Sequence, residues 1–336
     1  MPENSENLEP FADIDLDAMS VKLIDYLRKE LGSKSVDYLK PLTRLTGGYE
    51  TFICRFQLSG EDDRLSKPLI IRVYAENSHP YQPLKESTVQ NALADLGYPV
   101  PSVHGTCTDK AILGNAFSIM DFSEGKTLLD LDTPFDQMFD ILGNLHARIH
   151  KVDPEPIVSK FTEVGWDIGS INIDGRLEWL RTTVNIDFPW LNGAVEWLFE
   201  NRPNDLEILS VCHCDFHPGN ILFKDGKVQA VLDWSGFLVG DPAMDVAWTI
   251  FLCTIPIKLL LPDLDSEQIR KVYLNSYRKT RPLDETNIAY YGTIRSILAL
   301  IEGVQGHAIW SHPEIFQPLR ASIYEITGIK IPYIGK

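Results

Sequence analysis

The segment His213-Cys214-Asp215-Phe216-His217-Pro218-Gly219-Asn220-Ile221-Leu222-Phe223, followed by Val231-Leu232-Asp233-Trp234, decides how this chain is read. It places a carboxylate in a loop, an amide five positions later and a second carboxylate beyond an intervening hairpin. Three such groups can converge on one point. A group that accepts a hydroxyl proton, beside hard oxygen ligands that hold a cation against phosphate oxygens, is a set of this composition.

Working outward, the chain changes character on either side of this segment. Leu16, Met19, Leu23, Leu27 and Leu31 recur at helical spacing and stop at Gly32, which predicts a leading amphipathic helix. Residues 41–58 read as two short strands joined by Thr46-Gly47-Gly48-Tyr49, and Pro68 to Tyr74 as a third strand. A helix is expected from Pro83 to Leu96, then strands at Ser102–Thr106 and Ala116–Phe122. After Gly125 the pattern turns helical, beginning with Phe135–His150, where Met138, Ile141, Leu142, Leu145 and Ile149 share a face and Pro154 ends it. A short β-rich patch returns from Leu209 to Trp234 before a helical end. The expected fold class is α+β and bilobal: a small β-rich lobe at 1–122, a hinge at 123–126 and a larger helical lobe at 127–336. A ligand site is expected between the lobes.

Composition narrows the classes. With 47 acidic against 31 basic residues the formal charge is −16, which excludes a nucleic-acid protein working through a basic surface. It fits a soluble protein with a cationic small partner. The five cysteines (Cys54, Cys107, Cys212, Cys214 and Cys253) do not form a secreted disulfide framework and read as reduced cytosolic thiols. The polar, acidic start carries no signal-peptide pattern, so a cytoplasmic location is expected. The apolar run from Val246 to Ile257 is shorter than the ~18 residues that suggest a membrane span, and reads as a buried helix. Cys212, Cys214 and His217 raise zinc, but no fourth ligand stands at finger-like spacing.

The Asp215-to-Asn220 spacing is that of the catalytic loop of protein kinases. A peptide substrate is disfavoured, because the nucleotide loop lacks the full glycine motif. Asp-Trp-Ser-Gly at 233–236 is followed within seven residues of Asp233 by Gly240-Asp241-Pro242, leaving no room for an activation loop. The chain instead resembles the aminoglycoside phosphotransferase family of kinase-like small-molecule phosphotransferases. HCDFHPGNIL at 213–222 and VLDWSGFLVGDPAMDVAW at 231–248 resemble that family's catalytic and metal-binding segments. LHARIHKVDP at 145–154 resembles its helix leading into the larger lobe, and LTGGYETFICRF at 45–56 and LIIRVY at 69–74 fall where its nucleotide lobe belongs. The resemblance implies a kinase-like fold, Asp215 as catalytic base, and Asn220 and Asp233 as Mg2+ ligands, with ATP or GTP as co-substrate. It also implies that Asp245 braces the catalytic loop, although from its position alone it and Asp241 read as helix N-terminal carboxylates. His213 is expected to order the loop, and His217 to be a loop residue.

On the nucleotide side, Gly47 and Gly48 let backbone approach phosphates, or simply form a turn. Arg72 stands where most of the family places a lysine; it is expected either to pair with Glu86 and clamp phosphate, or to be an exposed strand arginine. Met120 and Phe122 are expected to offer backbone groups to the purine from an unpaired strand edge. The stretch from Lys160 to Ser210 holds Trp166, Trp179, Trp190 and Trp197, and nine acidic residues against four basic ones. It reads either as the site of a cationic hydroxyl acceptor or as an insert held together by its indoles. The function expected is Mg2+-dependent transfer of the terminal phosphate of ATP or GTP to a hydroxyl of a small molecule, such as an aminoglycoside or similar antibiotic. A metabolic small-alcohol kinase, a binding module without turnover and a phosphohydrolase are the alternatives.

Overall fold

The computed structural model describes residues 14–45, 51–59, 65–76, 78–79, 81–203, 209–256, 264–307 and 309–332. The chain divides into two units, residues 1–125 with 224–235 and residues 126–223 with 236–336.

Alternation builds the first unit. In β2 (Thr51–Ser59) every second residue from Phe52 to Leu58 is buried, and in β3 (Pro68–Tyr74) Leu69, Ile71 and Val73 turn the same way. These face α1 (Leu16–Glu30), which contributes Met19, Leu23, Ile24 and Leu27 to a common core. Asp15 starts that helix by accepting from the amides of Asp17 and Ala18. The sheet is completed by β1 (Asp37–Arg44), β4 (Val103–Cys107) and β5 (Phe117–Asp121), in the antiparallel order β1-β2-β3-β5-β4. β1 begins earlier than Pro41, where the sequence pattern starts it. As an edge strand it carries the proline in a stretch whose register shifts between Lys40 and Thr43. The short α3 is Lys110–Leu113, and α2 (Gln82–Asp95) packs beside β4 and β5.

Residues 224–235 belong to this unit by their contacts. The Val231 amide donates to the Pro99 carbonyl at 2.8 Å. The fully buried Trp234 ring meets Tyr98 edge-on at 6.3 Å, and its indole N–H donates to the Val231 carbonyl. The strand that leads there, β9 (Lys227–Val231), therefore lies with the first unit.

The second unit is mainly helical. Its helices are α4 (Phe135–Ile149), α5 (Glu155–Glu163), α6 (Ile173–Asp187), α7 (Asn192–Glu200), α8 (Pro242–Thr254), α9 (Ser266–Thr280), α10 (Ile288–Val304) and α11 (Pro313–Thr327). Short pairs accompany them: β6 (Lys126–Thr127) with β8 (Ile221–Lys224), and β7 (Ser210–Cys212) with β10 (Leu238–Gly240). The apolar run expected as a buried helix is α8, opened by Asp241, whose carboxylate accepts from the Ala243 amide at 2.8 Å. Gly143 lets α4 and α9 close on each other, since a Cβ there would lie 2.3 Å from the Tyr273 carbonyl oxygen. This contact matters because it aligns two side-chain pairs four residues apart, one pair on each helix. Among the described residues no helix is long and apolar enough to cross a membrane. All five cysteines are buried free thiols.

Candidate active site

Each unit carries its own part of the candidate machinery. In the first, the alternation that buries Leu69, Ile71 and Val73 sends Arg72 to the opposite face of β3. Its guanidinium has three side-chain partners. Nη1 donates to Glu86 Oε2 at 2.8 Å, Nη2 to Asp233 Oδ1 at 3.1 Å and Nε to Thr51 Oγ1 at 3.3 Å. The Arg72–Glu86 pair expected from the sequence is therefore present, and the arginine is not an exposed strand residue: its side chain is 12% exposed and that of Glu86 1%. Glu86 also accepts from Tyr74 Oη at 3.1 Å and from Gln82 Nε2 at 2.9 Å. Burial raises its carboxyl above the ordinary range, while Arg72 pulls in the other direction. Asp233 has φ of 60°, a left-handed conformation unusual outside glycine. Arg72 engages only its Oδ1.

The purine contact expected of Met120 and Phe122 rested on an unpaired strand edge, and that premise fails. β5 lies between β3 and β4, the Phe122 amide donates to the Pro68 carbonyl at 3.0 Å, and the Asp121 amide to the Ser102 carbonyl at 3.0 Å. A central strand has no free edge to offer. Gly47 and Gly48 lie outside the described residues.

In the second unit, Asp215 and Asn220 come together in the loop between β7 and β8. Asn220 Nδ2 donates to both the backbone carbonyl and Oδ2 of Asp215, each at 2.9 Å. That commits the nitrogen of the amide and leaves its oxygen for another partner. His217 caps the short turn at 218–220 by accepting from the Gly219 amide at 3.1 Å, and its Nε2 lies 3.7 Å from Asp215 Oδ2, an ion-pair rather than a hydrogen-bond distance. His213 is fully buried and accepts from the Asp215 amide through Nδ1 at 3.2 Å, the ordering contact expected of it. The Asp215 side chain is 36% exposed. What burial it has pushes its carboxyl up, but His217, His213 and Arg295 outweigh this and hold it down at about 2. It stands ionised, ready to accept a hydrogen bond from a hydroxyl.

Behind the loop lies Asp245, fully buried. Its side chain does not cap α8. Oδ2 accepts from the His213 amide at 2.5 Å and Oδ1 from the Cys214 amide at 2.8 Å. His146 Nε2 and His150 Nε2 add bonds to Oδ2 at 2.9 and 3.2 Å. Each ring is closed on its other side by a tyrosine of α9: Tyr273 Oη lies 2.7 Å from His146 Nδ1 and Tyr277 Oη 2.6 Å from His150 Nδ1. Donation from both Nε2 atoms to the carboxylate makes each Nδ1 the acceptor of a tyrosine hydroxyl. The three ligand atoms of His146, His150 and Asp245 lie within 4.8 Å of one another, as a metal site would require. Every ring nitrogen is already spent on a hydrogen bond, so the cluster is a hydrogen-bonded brace around a buried carboxylate. Burial pushes the Asp245 carboxyl up, but His146 and then His150 outweigh it and hold the group well below its usual range. Asp245 Oδ1 in turn holds the amide of Cys214, the residue with φ of 66° immediately before Asp215.

Sequence reasoning did not find His146, His150, Tyr273 and Tyr277. The available signal was the matched spacing of four, His to His on one helix and Tyr to Tyr on another. The Cys212, Cys214 and His217 grouping does not form a cluster of ligand atoms among the described residues. Of the four tryptophans, Trp190 and Trp197 pack against the helical core, Trp166 sits 6.1 Å from Phe161, and Trp179 is half exposed.

Comparison with known proteins agrees with this arrangement. The model of the phosphotransferase enzyme family matches residues 42–285. Acyl-CoA dehydrogenase family member 11 of Pongo abelii is 27% identical over 171 residues, 48% of this chain and 22% of that protein. Acyl-CoA dehydrogenase family member 10 of Mus musculus is 26% identical over 243 residues, 66% of this chain and 22% of that protein. The chain thus covers about a fifth of the length of the curated relatives it matches. Among solved structures, a putative aminoglycoside phosphotransferase of Ralstonia eutropha superposes with a TM-score of 0.58 at 18% identity, covering 92% of this chain and 98% of that one. The macrolide 2'-phosphotransferase of Brachybacterium faecium gives 0.54 at 17% identity, covering 90% and 97%. A thermostable aminoglycoside phosphotransferase in complex with AMP-PNP and hygromycin B gives 0.56 at 19%, covering 89% and 98%. At such identities the superpositions establish the kinase-like fold, and the family model establishes the lineage: this chain belongs to the phosphotransferase enzyme family.

Proposed function

We propose that the protein transfers the terminal phosphate of ATP or GTP to a hydroxyl group of a small molecule, with Asp215 as the catalytic base. The observation that carries this reading is the Asp215–Asn220 contact. One amide holds Asp215 by two bonds of 2.9 Å, one to its backbone carbonyl and one to its carboxylate, and keeps its own oxygen uncommitted. In the reaction the acceptor oxygen forms a bond to the γ-phosphorus as the bond from that phosphorus to the β–γ bridging oxygen breaks. The nucleoside diphosphate leaves with the bonding electrons, and the hydroxyl proton passes to the Asp215 carboxylate. A carboxylate near 2 is a weak base, so its main work is to orient the hydroxyl until the proton is acidified late in the transfer. Arg72, held between Glu86 and Asp233, positions the phosphates. Its fork is already aligned, so little is lost in ordering it.

The donor chemistry suits a magnesium ion. Asn220 Oδ1 and Asp233 Oδ2 have no hydrogen-bond partner among the described residues, and both are hard oxygens. These two residues would hold Mg2+, which when bound neutralises phosphate charge. Met120 and Phe122 would serve the purine through groups other than the paired Phe122 amide, and Gly47 and Gly48 are kept as candidate phosphate-binding residues. Five buried thiols and a nucleotide co-substrate suit the cytoplasm as the working compartment.

Two acceptor classes have specific support. The superposed structures include enzymes named for aminoglycosides and macrolides, which puts antibiotic alcohols in the first class. The curated relatives bear acyl-CoA dehydrogenase names, which puts hydroxylated acyl thioesters in the second. The test is a phosphotransfer screen over both classes together with choline-like amines and sugars, using labelled ATP and GTP with Mg2+. Labelled acceptor is the expected product. Nucleotide binding with no labelled product supports the module without turnover, and acceptor-independent release of phosphate supports the phosphohydrolase.

A further inference from the structure

The brace behind the catalytic loop has an outer end. Arg281 directly follows α9, half-buried, with its amide donating to the Tyr277 carbonyl at 3.0 Å. A cation there suits the negative end of the helix. Among the described residues, however, its guanidinium meets no carboxylate and turns onto two hydroxyls. Nη1 donates to Tyr277 Oη at 3.4 Å and Nη2 to Ser210 Oγ at 3.2 Å. Both hydroxyls belong to fully buried side chains, and both pass the contact on to His150. Ser210 Oγ donates to the His150 backbone carbonyl at 3.2 Å, and Tyr277 Oη meets the ring at Nδ1. One fork thus holds His150 by its main chain and by its ring.

The arginine also fixes the direction of these bonds. A guanidinium has donors and no acceptor, so Tyr277 Oη must receive from Arg281. The phenol's own hydrogen then has one acceptor in reach among the described residues, His150 Nδ1. Burial pushes the phenol up, so it keeps that hydrogen. Burial, joined by His146 and Arg281 and opposed by Asp245, holds the His150 ring at about 4. A neutral ring that accepts at Nδ1 carries its hydrogen on Nε2, which faces the Asp245 carboxylate at 3.2 Å. The chain therefore runs one way, from Arg281 through Tyr277 and His150 to Asp245, whose oxygens hold the His213 and Cys214 amides. Ser210 adds a second path, since it opens β7, the strand that leads into His213. The His146 arm ends instead on two hydroxyls, Tyr273 Oη and Thr249 Oγ1.

We propose that Arg281 is a positioning residue for phosphotransfer: through Tyr277 and Ser210 it keeps His150 seated on Asp245, and so keeps the loop that carries Asp215. This rests on the reading of Asp215 as catalytic base and adds a remote control of the same site. Arg281 acts through other side chains and takes no part in proton transfer.

Arg281→Met, Arg281→Lys, Tyr277→Phe and Ser210→Ala test it in the full chain. Tyr277→Phe removes the hydroxyl and keeps a ring whose centroid lies 5.6 Å from that of His150 and 6.1 Å from that of His146. The first readout needs no turnover. The His150 Nε2 proton, bonded to a buried carboxylate, should give a downfield, slowly exchanging NMR signal in wild type. In Arg281→Met and Tyr277→Phe it should move upfield and exchange faster. The second readout is kinetic, at a temperature where circular dichroism shows each variant folded. In both variants kcat should fall on the order of tenfold while nucleotide KM stays within about twofold. Lys at 281 keeps the charge without the fork and should recover part of the loss. With Tyr277→Phe and Ser210→Ala combined, adding Arg281→Met should cost less than about twofold more, because both routes are already cut. Arg281→Met lies outside the core and decides the matter even if Tyr277→Phe does not fold. A His150 signal that does not move in Arg281→Met, kcat within twofold of wild type there, or a full further loss in the doubly changed background overturns the proposal. Labelled product from wild type decides the phosphotransferase reading separately, since the His150 signal reports on Arg281 whether or not phosphate is transferred.

Discussion

Replacing Asp245 by Asn removes one charge and one acceptor from a fully buried group with four donors. Oδ2 takes three of them, the His213 amide at 2.5 Å, His146 at 2.9 Å and His150 at 3.2 Å, and Oδ1 takes the Cys214 amide at 2.8 Å. The new amide nitrogen settles where it displaces fewest bonds, on the Oδ1 side, and meets the Cys214 N–H donor to donor. That bond is lost, and the other three fall from charge-assisted to neutral strength. Taking roughly 1.5–3 kcal/mol for a bond to a charged group and about 1 kcal/mol for a neutral one, and crediting the cheaper burial of an uncharged side chain, the loss is about 3–5 kcal/mol. The consequence for activity follows from Cys214. Its φ of 66° costs roughly 1–2 kcal/mol, and the bond to Asp245 helps to hold it there. Once released, the loop relaxes and Asp215 moves with it; a displacement of about 1 Å is enough for a loss on the order of 100-fold in kcat. Urea unfolding followed by circular dichroism reads the first effect, and phosphotransfer kcat at saturating nucleotide reads the second. A variant within 1 kcal/mol of wild type and within twofold in kcat would refute the brace.

Three further outcomes follow from the same contacts. Burial holds His150 down at about 4; since the unfolded chain takes up this proton near 6.5 and the folded one near 4, stability should fall as pH drops through that window, by up to about 3 kcal/mol. Urea midpoints between pH 4 and 7.5 measure this, and His150→Gln should flatten the slope by nearly one proton. Arg72→Met leaves Glu86 buried without its cation, which predicts a loss of about 3–5 kcal/mol and a raised nucleotide KM. Arg72→Lys keeps the charge but not the three-way fork, so stability should largely return in denaturant titration while nucleotide KM stays several-fold high. Gly143→Ala drives a Cβ toward the Tyr273 carbonyl at 2.3 Å, and separation of α4 from α9 should cost about 1–3 kcal/mol and lower the melting temperature.

The parts of the site that were legible in the sequence are those whose partners are close along the chain or fixed by a simple period. Asp215 and Asn220 lie in one loop, five residues apart. Arg72 and Glu86 lie fourteen apart, on a strand whose alternation gives the face and a helix that returns across it. The brace was not legible in the same way. Asp245 meets His146 across 99 residues and the Cys214 amide across 31, and only the close packing of α4 on α9 shows which histidines reach it. The acidic count of the 160–210 segment is likewise a poor guide to the charge at any one point, because three of its nine acidic residues, Glu163, Glu178 and Asp174, are paired with nearby basic side chains. The strand after Ala116 read correctly as a strand, yet its place in the sheet depends on pairing order, which a local pattern does not carry; β5 proved central and its edge unavailable.

The most direct test of the central claim compares wild type with Asp215→Asn in Mg2+-dependent phosphotransfer from ATP and GTP, using the acceptor that labels best. The exchange keeps the shape of the side chain and removes the acceptor of the proton. Transfer should fall by a factor on the order of 10^3 or more while nucleotide affinity, read by titration, stays within about twofold. An Asp215→Asn protein that transfers phosphate at the wild-type rate would contradict the account.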